Sequence, residues 1–130
     1  MDTKFHLAHR FSRSVKKSKH QVSSQVDTII KVLALYPERG PPIPGHSKLR
    51  KMRINIPKLN LGKSGGYRLI YRQAIVDEIR YISLLEIYFK GDSEDLSRTE
   101  YDTILTESTF ILENPLDFEW KDTPLIDGSR

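Results

Sequence analysis

The 130-residue sequence contains no cysteine, which removes disulfides, thiolate metal ligands and a cysteine nucleophile and suits a reducing compartment such as the cytosol. Long hydrophobic runs are missing too. Nothing approaches the roughly 18 consecutive apolar residues of a membrane span. The opening Met1-Asp2-Thr3-Lys4-Phe5-His6 runs straight into charged sequence without the apolar stretch of a secretory signal. Histidine is confined to His6, His9, His20 and His46; His6 and His9 would face opposite sides of a strand, and neither has a nearby carboxylate at metal-ligand spacing. These absences leave a cytoplasmic domain with no expected cofactor or metal, and 38% hydrophobic residues are enough for one core.

One sign of charge is also missing from a long stretch: Arg39 to Val76 holds no acidic residue. Residues 1–72 carry sixteen Lys and Arg against Asp2, Asp27 and Glu38, a balance of +13. Residues 73–130 carry five against fourteen Asp and Glu, a balance of −9. Cations concentrated in this way favour a polyanionic partner, because each one near a phosphate releases condensed counterions. The competing reading is that the two halves neutralise each other in the fold.

Phe5 to Arg10 alternates loosely and suits a first strand, and Phe11 to Lys19 a short basic helix. Val22, Val26, Ile29, Ile30 and Leu33 recur at helical spacing, predicting a second helix over residues 20–36 that stops before Pro37. Pro41, Pro42 and Pro44 with Gly40 and Gly45 make a loop. Three strand-like runs follow. In Arg50 to Ile56, Met52, Ile54 and Ile56 face away from Lys51, Arg53 and Asn55. In Tyr67 to Arg72, Tyr67, Leu69 and Tyr71 lie opposite Arg68, Ile70 and Arg72. Arg80 to Lys90 is apolar enough for a buried central strand, with Asp77-Glu78 as the turn before it. Short links favour an antiparallel meander. Ser97-Arg98-Thr99-Glu100 is a capping box, opening a helix with Tyr101, Ile104, Leu105 and Leu112 near one face and Pro115 beyond its end. The expected fold is therefore α+β: a strand and two helices, a three-strand antiparallel meander, and a C-terminal helix, in a domain of residues 1–113. Residues 114–130 read as an acidic tail, in which Leu116, Phe118 and Trp120 are available for packing.

Gly62-Lys63-Ser64 imitates the end of a phosphate-binding P-loop, but Pro57 stands where the motif's first glycine belongs. Asp92, Glu94 and Asp95 lack the glycine and closing glutamate of a calcium loop and are better read as charge at the approach to the last helix. The sharper pattern is cations on successive strands. Lys51 and Arg53 share one polar face, Arg68 and Arg72 the next, and Lys90 ends the third. Folded as a meander, they would converge on one surface able to bind RNA. Cleaving RNA without a metal needs such a set, since the 2′-hydroxyl is itself the nucleophile. The protein must orient it, take its proton and stabilise the dianionic phosphorane. A phosphate-binding face without chemistry is the plainer alternative.

The stretch Gly65-Gly66-Tyr67-Arg68-Leu69-Ile70-Tyr71-Arg72, followed by Leu85 to Lys90 and Glu94-Asp95-Leu96-Ser97, resembles the RelE/HigB family of toxin–antitoxin toxins. The resemblance covers about residues 4–112. It implies an endoribonuclease that cuts messenger RNA in the ribosome without a metal and inhibits translation. It also implies a cognate antitoxin with an acidic segment, in a complex that can be hetero-oligomeric. Arg68 matches the arginine implicated in holding the scissile phosphate, and Lys90 a basic position after the last strand. Lys58 and Lys63 precede the motif and match less cleanly. Members often place a histidine or tyrosine at or beyond the last strand as acid or base. Here no histidine follows His46, leaving Tyr88 and Tyr101. The alternative on the same scaffold is a non-catalytic inhibitor of DNA gyrase, like the related ParE toxins, with the dense cations around the Gly-Tyr-Arg strand favouring the endoribonuclease.

Overall fold

A computed structural model describes residues 1–18, 22–55, 66–90 and 95–124. In chain order, β1 (Asp2–Leu7) leads into α1 (His9–Lys17), and one 3-10 turn (Val22–Gln25) precedes α2 (Val26–Leu35). Then come β2 (Pro42–Ile43), β3 (His46–Ile54), β4 (Tyr67–Val76), β5 (Ile79–Phe89), α3 (Arg98–Glu113) and β6 (Lys121–Asp122). The fold is α+β, with one mixed sheet of six strands in the order β2-β3-β4-β5-β1-β6. Lys58, Lys63 and the Gly62-Lys63-Ser64 triplet lie outside the described residues.

The expected antiparallel meander is the centre of this sheet, formed by β3, β4 and β5. Asp77 and Glu78 both adopt positive φ (50° and 65°), the mirror-image two-residue turn whose twist matches that of paired strands. The sheet is wider than three strands, however. β5 is apolar along most of its length and needs a neighbour on its second edge. β1 fills that place in parallel, setting Phe5 beside Ile82 and Leu7 beside Leu84. The first strand accordingly ends at Leu7, earlier than its sequence pattern suggested, and α1 starts at His9.

Adjacent residues of β4 show what covers each face. The Tyr71 hydroxyl donates to the Pro37 carbonyl (2.8 Å) and accepts from the Gly40 amide (2.9 Å), so the loop after α2 packs on its side. That loop lies so close that a Cβ at Gly40 would stand 2.8 Å from the backbone of Lys51. Arg72 points the other way, reaching Ser108 and Thr109 of α3. Helix α3 is capped as its sequence predicts: Ser97 Oγ accepts from the Glu100 amide and Glu100 Oε1 from the Ser97 amide, both at 3.1 Å. Its buried stripe is Tyr101, Ile104, Ser108 and Ile111; Leu105 and Leu112 lie at the margin.

The segment read as a tail from residue 114 is part of the sheet assembly as far as it is described. Pro115–Asp117 form a 3-10 turn, and β6 pairs antiparallel with β1, Lys4 beside Asp122. Phe118 and Trp120 both pack against His6 of β1, while Leu116 is left 98% exposed.

Candidate phosphate-binding site

The register of the meander decides which cations meet. Arg53 of β3 is the Cα partner of Arg68 on β4, and Arg68 is the partner of Tyr88 on β5. Directly paired residues project from the same face, so two guanidinium-bearing residues and a tyrosine form a row across three strands. Like charges directly opposite each other destabilise a ladder unless an anion lies between them. Arg53 is exposed, but Arg68 is only 9% accessible. Among the described residues Arg68 has no ion pair, and its one hydrogen bond is a 3.4 Å contact to the Tyr67 carbonyl. Gly66, at φ +109°, immediately precedes β4 beside this row, and its carbonyl accepts from the Lys90 amide (3.0 Å). Lys90 therefore stands at the same end of the sheet, where β3 and β5 finish and β4 begins.

Lys51 and Tyr88 belong to this face as well, and Tyr101 joins them from the first turns of α3. What unites the three is Asp95. Its Oδ2 accepts from Lys51 Nζ (2.7 Å), and its Oδ1 accepts from the hydroxyls of Tyr88 (2.5 Å) and Tyr101 (2.8 Å) and from the Leu96 amide (2.9 Å). Lys51 Nζ also donates to the Tyr101 oxygen at 2.9 Å. Partial burial alone would raise the Asp95 carboxyl, but donation from Lys51, Tyr88 and Tyr101 outweighs it and holds the group well below the usual carboxylate range. Lys51 is raised: burial opposes its charge, and the bonds to Asp95 and Tyr101 more than restore it.

Tyr88 goes the opposite way from what a catalytic base requires. Burial, followed by its hydrogen bond to Asp95, raises its pKa far above the ordinary value of 10, so the phenol keeps its proton. Tyr101 likewise spends its proton on Asp95. In this arrangement both tyrosine hydroxyls are donors. A second dyad borders the network, with His46 Nε2 2.6 Å from Asp102 and its ring 5.4 Å from that of Tyr101.

Arg72 does not belong to the site. Its Nη1 donates to Ser108 Oγ (3.0 Å) and Thr109 Oγ1 (2.7 Å) beneath α3, and burial lowers its pKa. It pins the helix. It also lies four residues along the strand from Arg68, roughly 14 Å at ~3.4 Å per residue. The expected set of Lys51, Arg53, Arg68, Arg72 and Lys90 thus keeps Arg53, Arg68 and Lys90 at the open end, with Lys51 bound inward and Arg72 removed. Asp95 was the residue that the sequence pattern assigned only to the approach of the helix. The one signal for it was its proximity to two hydroxyl donors along the chain, seven residues after Tyr88 and six before Tyr101. No protein-family model matches the chain, and no curated protein matches it significantly.

Proposed function

We propose that this chain is a toxin of the RelE/HigB kind, an endoribonuclease that cuts messenger RNA in the ribosome with Arg53 and Arg68 on the scissile phosphate. The observation that carries the reading is the opposed Arg53–Arg68 pair, with Arg68 buried and without a carboxylate among the described residues. A buried guanidinium facing another is costly by itself and becomes favourable once an oxyanion sits between the two. The order of elements supports the same reading: a strand and two helices, then an antiparallel three-strand unit, then a helix with the Glu94-Asp95-Leu96-Ser97 start.

In the proposed reaction the RNA 2′-oxygen attacks the adjacent phosphorus and the P–O5′ bond breaks. The products are a 2′,3′-cyclic phosphate and a 5′-hydroxyl, with the 2′-proton lost and one gained by the leaving oxygen. Two guanidiniums would stabilise the dianionic phosphorane, which carries more charge than the ground state and so gains more from them. Lys90 would hold a neighbouring phosphate. The cognate antitoxin would present an acidic segment to this face.

An in vitro translation reaction read by primer extension tests the proposal. New cut sites in the message, with cyclic-phosphate ends, are expected from the wild-type chain and not from Arg68→Ala. Intact message alongside inhibition of DNA gyrase would establish the ParE-like alternative in its place.

A further inference from the structure

Three donors from three separate elements converge on one carboxylate. Lys51 comes from β3, Tyr88 from β5 and Tyr101 from α3, while Asp95 itself is 42% exposed at its side chain. A phosphate presents to such a set what a carboxylate does: two anionic oxygens a short distance apart, able to accept from an ammonium and from hydroxyls. Lys51 and Arg53 share a strand face two residues apart, roughly 7 Å at ~3.4 Å per residue. Tyr88 is the direct ladder partner of Arg68. The Asp95 network is therefore the immediate neighbour of the Arg53–Arg68 row, at a separation suited to consecutive phosphates of a single strand.

We propose that Lys51, Tyr88 and Tyr101 form a second phosphate subsite for single-stranded RNA, in which Asp95 is an internal stand-in for the phosphate and is displaced when RNA binds. This rests on the RNA-binding reading above and adds to it a resident competitor. With RNA absent, Asp95 satisfies the Lys51 charge and keeps both phenol hydroxyls pointed at one position. RNA must exchange its own oxyanion for the carboxylate, so affinity is held down until a strand long enough to span both subsites arrives.

The exchange has a signature that diffuse charge does not share. Equilibrium binding of a short fluorescent single-stranded RNA is measured across a salt series for wild type, Asp95→Asn, Lys51→Met, the double variant, and Asp27→Asn in the first turn of α2 as a control for net charge. Asp95→Asn should bind several-fold tighter than Asp27→Asn. Its dependence of log K on log salt should steepen by about 0.7, the value of one additional phosphate contact to a single strand. Combining it with Lys51→Met should erase both gains. Tyr88→Phe on the Asp95→Asn background should erase part of the affinity gain with no change in charge. Equal effects of Asp95→Asn and Asp27→Asn, with parallel salt slopes, overturn the subsite and leave RNA binding standing. Weaker binding by Asp95→Asn also overturns it, by making Asp95 a support of the site. Failure of every variant and the wild type to bind RNA overturns the RNA reading, and the subsite with it.

Discussion

At the scale of single residues, Arg68 couples the sequence to the proposed chemistry most directly. It was legible because it follows Gly-Gly-Tyr at the start of an alternating strand, where its side chain must leave by the face opposite Tyr67. The depth of its burial was not legible, since that depends on strands far away in sequence. Burial sharpens the mutational test. Arg68→Ala would leave a cavity as well as remove a charge, whereas Arg68→Lys keeps the charge and most of the volume but cannot reproduce the planar two-pronged donor. If Arg68 stabilises the phosphorane, Arg68→Lys should lose about 2–4 kcal/mol of activation free energy, as for one oxyanion donor. This should appear in single-turnover cleavage of ribosome-bound message at saturating protein, with ribosome affinity almost unchanged. A wild-type rate for Arg68→Lys would remove the residue from the catalytic set. Asp95 marks the limit of reading by pattern: its main partner Lys51 is 44 residues away, and no local spacing announces that meeting.

At the scale of elements, the local signals served well and the long-range ones poorly. The capping box, the stop before Pro37 and the Asp77–Glu78 turn each depend on a few neighbouring residues, and each is found where the sequence placed it. The turn carries strain nonetheless, because two residues with side chains hold left-handed backbone. Glu78→Gly should relieve about 1 kcal/mol, measured as a higher midpoint in chemical denaturation. An unchanged or lower midpoint would mean that the Glu78 side chain contributes more than its backbone costs. The C-terminal strap could not be read from periodicity, since its anchors Phe118 and Trp120 are held by contacts to His6 and Tyr81 rather than by a repeat. His6 makes this strap sensitive to pH. Burial, only partly offset by its bond to the Glu119 carbonyl, lowers its pKa below the ordinary 6.5. The released chain therefore binds a proton more readily than the docked one. Docking is fully stabilised above about pH 6.5 and loses support as pH falls through the folded value. Trp120 is the sole tryptophan, so tryptophan emission, excited selectively over the tyrosines, reports the strap alone. Its emission should move to the red between pH 7 and 5 and become independent of pH in His6→Gln. A constant spectrum in the wild type would assign the strap's stability elsewhere.

At the scale of the whole molecule, the reading in which the two halves of the chain neutralise each other is met at several ion pairs, while the polyanion reading belongs to the proposed function. Lys4 pairs with Asp122, Arg10 with Glu107 and Glu86, His46 with Asp102, and Lys51 with Asp95. Each of these pairs joins the basic half of the chain to the acidic half, and among the described residues they take up three of the sixteen Lys and Arg of residues 1–72: Lys4, Arg10 and Lys51. Among the described residues, the cations left at the open end of the meander are Arg53, Arg68 and Lys90. Beneath it the core runs through β5, where Leu84 and Glu86 pair with consecutive residues of β4 and leave Leu85 between them as a bulge. Leu85 is still only 1% exposed. Leu85→Ala should cost about 2–5 kcal/mol in urea or guanidinium unfolding. A loss near zero would show that the bulge lets the surrounding side chains close over the gap.

The parallel pairing of β1 with β5 ties folding to the pace of synthesis. Phe5 cannot meet Ile82 until the chain between them has been made, which at about 5–20 residues per second takes on the order of 4–15 s. The hairpin of β4 and β5 is local and closes within microseconds of its own completion. The amino-terminal strand must then find an edge already formed, across a long loop whose closure entropy opposes the search. Through that interval an apolar strand waits without its neighbour, and β6 cannot dock until β1 has done so. β1 is already made when that edge appears, so the wait is set by the search, and recovery of folded protein should improve when a holding chaperone is plentiful.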